Sequence, residues 1–163
     1  MRAFLYLYIM ELLKIYQQKL SGIKKEVPQW AKEAILQNAE AIVFRLKAFQ
    51  LTKGLDSLGN VVGTYAERTQ EFAEKEDARK DKIPGSPYNF EWTGETFDNL
   101  MISSVNKSQK TYKFRTVAYK QKLLEELYGE LFELTDESNE WVNKNIIEPF
   151  VANKIQEAIA QFI

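Results

Sequence analysis

The sequence predicts an α+β fold, predominantly helical, with a small antiparallel β-hairpin or sheet and a charged loop or arm. Three observations carry this expectation. Apolar residues recur at helical spacing towards both ends of the chain. A period of two occurs once, between Met101 and Val117. Between the first helices and that region lies a stretch rich in glycine, proline and charge. The 163 residues fit a single domain, 1–163, with the protruding arm or loop at about 55–98.

The first helix is expected from about residue 3 to 20, with Leu5, Tyr8, Ile9, Leu12, Tyr16 and Leu20 at helical spacing and Ser21-Gly22 as its stop. Ala3 to Met10 is apolar almost all round. Such a helix is buried on several sides or covered by a neighbouring molecule. The run is too short to span a bilayer, and no small-residue cleavage site follows it, so the chain is expected to stay where it is made.

A second helix is expected after Pro28, running to about Thr52, with Ala31, Ala34, Ile35, Ala41, Ile42, Leu46 and Phe49 as its stripe and Gly54 as its stop. Leu55 to Asn60 reads as a loop. Glu67 to Lys82 carries eleven charges of both signs in sixteen residues and has no apolar stripe. It reads as a solvated helix or a mobile loop. Ile83-Pro84-Gly85-Ser86-Pro87 must be non-helical.

Tyr112, Phe114 and Thr116 alternate with Lys113, Arg115 and Val117, which predicts a strand. Met101 to Val105 is its partner, and Asn106 to Lys110 the turn. Helical spacing returns at Leu123, Leu127 and Leu131 and at Leu124, Tyr128 and Phe132, in a helix expected to end near Glu133. Thr135 or Asp136 caps the next helix, which holds Trp141, Val142 and Ile146. Pro149 is expected to kink or break it. Phe150, Ile155, Ile159 and Phe162 form the last stripe.

Composition narrows the chemistry. The chain is 45% hydrophobic and 28% charged, as a globular protein is, and its net charge is -1. It contains neither cysteine nor histidine. Disulfides, Cys/His zinc sites, a Ser-His-Asp triad and a histidine base are therefore excluded. No phosphate-binding glycine motif occurs. No cofactor, no metal and no catalytic residue is expected, and the protein is read as a non-enzyme. Glu91, Glu95 and Asp98 around Trp92 are the one candidate acid–base group. The structural reading is preferred: the first turn of a short helix capped by Thr93 or Thr96, with acids at its start. Trp92 and Phe90 are expected to anchor their loop on the core.

Charge is arranged in blocks. Lys107, Lys110, Lys113, Arg115, Lys120 and Lys122 lie between 106 and 124 without an acid. Glu125, Glu126, Glu130, Glu133, Asp136, Glu137, Glu140 and Glu148 follow, against Lys144 alone. The blocks can neutralise each other within one molecule or meet head to tail between copies. The lysines also suit the protection of an edge strand, or a basic hairpin facing DNA phosphates.

Three segments carry a resemblance. The first is Gln50-Leu51, Gly54 to Asn60, Gly63-Thr64-Tyr65 and Thr69. The second is Gly85 to Phe97. The third is Leu123, Tyr128-Gly129 and Leu131 to Thr135. In order and spacing, over roughly residues 45 to 140, they resemble segments of tailed-phage neck proteins, especially from phages of Bacteroidetes-type hosts. That family comprises head–tail connector, tail-completion and minor head proteins.

The resemblance implies a structural virion protein, made in the host cytoplasm. It would form a homo-oligomeric ring between portal and tail around the DNA channel, against the portal protein and adjacent neck or tail proteins. Lys107, Lys110, Lys113 and Arg115 would face the channel and touch packaged DNA non-specifically. Phe4, Leu5, Leu7, Tyr8, Phe162 and Ile163 would form the subunit interface. No membrane partner is expected. The alternative is a soluble helical adaptor or chaperone-like module that holds one partner helix on the same apolar run.

Overall fold

The computed structural model describes the backbone of residues 2–76, 82–106 and 111–161, and the side chains of 9–76, 82–106 and 112–161. The fold is α+β and mostly helical, with one two-stranded antiparallel sheet. Its elements are α1 (Arg2–Gln37), α2 (Ala39–Phe49), a 3-10 turn (Leu51–Lys53), α3 (Glu67–Lys75), α4 (Glu95–Asp98), β1 (Met101–Asn106), β2 (Thr111–Arg115), α5 (Ala118–Tyr128), α6 (Asp136–Val142), a π-helical turn (Asn143–Ile147) and α7 (Glu148–Ala160).

α1 corrects the expected first boundary. The helix does not stop at Ser21-Gly22 but runs through Gly22 and Pro28 for 36 residues, about 54 Å at the α-helical rise. A mid-helix glycine costs about 1 kcal/mol relative to alanine, and a proline forfeits one backbone hydrogen bond. Burial of Ala31, Ala34 and Ile35 offsets both. The break comes instead at Asn38, whose side-chain Nδ2 and backbone N–H both donate to the Ala34 carbonyl, at 2.9 and 3.1 Å.

α2 buries Ile42, Val43 and Leu46. Ala41 and Phe49 lie on the solvent side, contrary to the expected stripe. Arg45 is buried among apolar groups because its charge is satisfied. Its Nε donates to Ser138 Oγ at 3.2 Å, its Nη2 to Glu137 at 3.3 Å, and its guanidinium lies 4.0 Å from the Phe49 ring centre. α2 is thereby fastened to α6.

The hairpin behaves as the alternation predicts. Ile102, Val105, Tyr112 and Phe114 face the core, while Lys113 and Arg115 point outward. Its register shifts at a bulge between Ile102 and Ser104. β1 packs on α1 and α2.

Later boundaries also differ from expectation. α5 ends at Tyr128 rather than near Glu133, because Gly129 takes a positive φ of 77° and turns the chain inward. Leu131, Phe132 and Leu134 are then buried as turn residues, not as a helical stripe. Gly94, not a threonine, occupies the N-cap of α4, at φ 83°. The α-helix that holds Trp141 and Val142 ends at Val142, and the π-helical turn Asn143–Ile147 interrupts the regular α-helical register just before Pro149; α-helical backbone resumes with Pro149 in the first turn of α7. Thr135 does cap α6, its Oγ1 accepting from Ser138 N–H at 3.3 Å. On α7, Ile159 is exposed, and Phe162 lies outside the described residues.

The end of α2 is joined to the turn after α5 by one side chain. Gln50 is fully buried. Its Nε2 donates to the carbonyls of Leu131 (3.1 Å) and Glu133 (2.7 Å), and its Oε1 accepts from Thr135 N–H (3.1 Å). Gln50→Leu keeps the volume and leaves those three backbone groups without their partner. The expected loss is about 2–4 kcal/mol, or roughly 5–15 °C in Tm for a chain of this size. Gln50→Glu should cost more, since it turns a carboxylate towards two carbonyls. Denaturation midpoints check this, and a Gln50→Leu variant as stable as wild type would refute it.

Candidate functional site

The chain between α2 and β1 is not a free arm. It opens at Gly54, which caps the 3-10 turn at φ 66°. Asp56 then closes a tight loop. Its carboxylate accepts from Leu58 N–H (2.9 Å) and Asn60 N–H (2.8 Å), and Leu55 bridges to Val61. Ser57 N–H donates to the Glu130 carbonyl at 3.0 Å. Next, Gly63 to Tyr65 pairs with Gly85 to Tyr88 through the Thr64–Pro87 bridge. The charged segment therefore leaves and returns between two hydrogen-bonded lanes. Its first part is helical (α3), with Ala73 buried and Phe72 exposed, and residues 77–81 lie outside the described residues.

At the base of this excursion Lys82 is 1% exposed. A lysine this deep requires full satisfaction of its charge. Its Nζ donates to Asn89 Oδ1 (2.6 Å) and to the Glu91 carbonyl (3.1 Å), and it lies 5.6 and 5.7 Å from the ring centres of Tyr65 and Trp92. Asn89 Oδ1 also accepts from Tyr65 Oη at 2.9 Å. Trp92 Nε1 donates to Glu76 at 2.9 Å, fastening the end of α3 to the returning loop.

In front of this unit lies an aromatic groove with a cavity of about 430 Å³. Tyr88, Phe90 and Tyr128 stack edge to face within it, with ring centres 5.4 to 6.3 Å apart. Tyr119, Leu123 and Leu124 of α5 form the opposite wall. Tyr119, Leu123 and Leu127 are exposed at a spacing of four, so the groove continues as an apolar ridge along α5. Phe90 has a φ of 48°, a strained conformation for a residue with a Cβ, held here by the two rings packed against it.

Sequence reading anticipated Phe90 as an anchor, and it packs on the core; Trp92 is half-buried, on Lys82. It did not anticipate the groove. The signal is the Tyr119-Leu123-Leu127 spacing, whereas the sequence reading takes Leu123 and Leu127 in one row with Leu131 and leaves Tyr119 out.

Glu91 and Glu95 do line one cavity. Glu91 is buried, and Glu95 is engaged by the Lys120 ammonium, which raises the Lys120 pKa. Among the described residues no group of acids forms a cation site. The groove thus offers an apolar contact surface with an aromatic floor.

The other expected site residues separate into two groups. Lys113 and Arg115 stand on the outward face of β2 and have no ion-pair partner among the described residues. Lys107 and Lys110 lie outside the described residues, as do Phe162 and Ile163 and the side chains of Phe4, Leu5, Leu7 and Tyr8. The charge blocks are partly neutralised internally: Lys120 pairs with Glu95, Lys122 with Glu126, Lys144 with Glu140 and Arg45 with Glu137.

No protein family, curated protein or solved structure matches this chain.

Two predictions test this geometry. A Cβ on Gly54 would run into the Tyr88 carbonyl, whereas one on Gly59 meets open space, although both glycines have positive φ. Gly59→Ala should cost about 1–2 kcal/mol for the left-handed backbone alone, and Gly54→Ala about 1–3 kcal/mol more for displacing Tyr88. Equal losses would show that the loop does not rest on Tyr88.

Burial raises the pKa of Tyr65, Tyr112 and Tyr128. With Lys120, these groups hold protons more tightly folded than unfolded. The stability that these groups contribute should therefore be complete below pH about 10 and be lost as pH rises from the unfolded values towards the raised folded ones. The decline should be shallower in Tyr112→Phe, as read by denaturation at stepped alkaline pH.

Proposed function

We propose that the protein is a structural virion component of a phage neck, a ring-forming head–tail connector or tail-completion protein. One observation carries this reading. The three segments that resemble neck proteins meet in one hydrogen-bonded unit. Gln50 bonds the third segment, Tyr65 bonds Asn89 of the second, and Tyr128 stacks on Tyr88 and Phe90. Residues that must meet to make one fold give the resemblance a structural reason to recur together.

Subunit contact would use the amino-terminal part of α1, whose apolar side chains from Ile9 to Leu20 the single chain leaves exposed. The outward Lys113 and Arg115 suit a channel wall that touches phosphates without base contacts. Such contacts are salt-screened, so DNA could still pass.

The adaptor reading has one observation in its favour. The groove and the ridge on α5 together have the form of a site for a single amphipathic helix.

The mass of the purified protein in solution, alone and with the portal, separates the two. A ring, or one formed only on the portal, is expected. A stable monomer that ignores the portal would overturn the neck reading. Lys113→Gln with Arg115→Gln should weaken non-specific DNA binding by the assembled ring. It should also lower the log–log salt slope by about 2 for each subunit in contact.

A further inference from the structure

α7 packs on α1 and on the turn that precedes it. Its half-buried residues, Phe150, Val151, Lys154, Ile155 and Ala158, recur at helical spacing and face α1. On α1, Ile23, Val27 and Trp30 are half-buried, followed by the fully buried Ala31 and Ala34. These positions form one face of the helix.

The same face continues towards the amino terminus without a cover. Stepping back from Trp30 by alternating threes and fours gives Val27, Ile23, Leu20, Tyr16, Leu13 and Ile9. This is a seven-residue apolar repeat, the spacing of a helix–helix seam. Its inner half is covered within the chain. Its outer half is open: Ile9, Leu13, Tyr16 and Leu20 are 46%, 51%, 46% and 55% exposed, and Leu12 lies beside them.

We propose that the outer half of this seam, Ile9 to Leu20, pairs with the same segment of a second copy of the chain. Three considerations favour that occupant. The open stretch is continuous with an established helix–helix interface, so its geometry already suits a helix. The repeat asks for a partner of the same period, and a second copy supplies one. Together two such faces offer on the order of 1,000 Å², enough for a specific contact.

Charge is compatible with the pairing. Glu11 and Lys14 fall on the side of the helix away from the seam, so pairing buries neither, and the positions beside the seam are Met10, Leu12, Gln17 and Lys19. The groove beside α5 is the competing acceptor within the same molecule. It is a short cavity walled by rings, whereas the seam repeats over several turns.

The inference does not rest on the neck reading, since arm pairing concerns the isolated protein without portal or DNA. Sedimentation of the full chain over a wide concentration range tests it. Wild type should associate reversibly. Leu13→Glu with Leu20→Glu should weaken association at least a hundredfold, because pairing would bury unpaired carboxylates. Both positions are exposed in the single chain, so the helicity and Tm of the monomer, read at concentrations below those at which wild type associates, should stay at wild-type values. Leu127→Glu, on the ridge of α5, should leave association unchanged. A wild-type chain that stays monomeric throughout would overturn the proposal, as would a double variant that associates like wild type. Loss of association in Leu127→Glu would also overturn it, since the arm would then sit in the neighbour's groove.

Discussion

The carboxamide of Gln50 is the constraint on which the middle of this molecule depends. It is fully buried, and all its described hydrogen bonds go to backbone groups 81 to 85 residues away. Those groups belong to a turn that has no ladder of its own. Without the amide, two carbonyls and one N–H would have to be hydrated or left unmet, at a cost comparable to a large share of the stability of a small domain. With it, the end of α2, the entry to the glycine-rich loop and the cap of α6 are set together.

Around that hub, polar groups are buried only where their charge is answered. Arg45 forks to α6 between Phe49 and Trp141. Lys82 lies under two aromatic rings, with its ammonium on an amide oxygen and a carbonyl. Arg45 sits in the middle of α2 and ties it to α6, whereas Lys82 bonds Asn89 and Glu91 on either side of Phe90. That anchoring helps to keep Phe90 at positive φ beside the rings of Tyr88 and Tyr128. Binding surface here is a consequence of satisfied buried polarity behind it.

What the chain leaves uncovered has a consistent character. One side of α1 from Ile9 to Leu20 and the ridge of α5 are apolar, and the outer face of β2 is basic. None of these features is arranged for proton transfer or nucleophilic attack, and the chain carries neither histidine nor cysteine. Surfaces of this kind suit association. That is the physical content shared by the neck and adaptor readings, which differ in symmetry rather than in chemistry.

The sequence by itself determined the fold class, the hairpin and the core positions Ala31, Ala34, Ile35, Ile42 and Leu46, because periodicity is a local property that side-chain chemistry writes directly. It did not tell a buried stripe from an exposed one: Leu12, Tyr16 and Leu20 on α1 and Leu123 and Leu127 on α5 keep the helical spacing and lie at the surface. It also determined the exclusion of thiol and imidazole chemistry. It misplaced boundaries wherever a local preference was overruled. Gly22 and Pro28 are breakers by propensity, yet α1 passes through both because distant segments bury its carboxy-terminal end. Leu131 and Phe132 fit a helical stripe, yet Gly129 turns them into a core-filling turn. The joining of Gln50 to Thr135, the burial of Lys82 and the groove between Tyr88, Phe90 and α5 were not legible. They depend on pairs of residues far apart in the chain, and no local pattern records which distant group a buried amide or ammonium will meet. Only the tertiary structure decided them, because the satisfaction of buried polar groups is a property of the assembled interior.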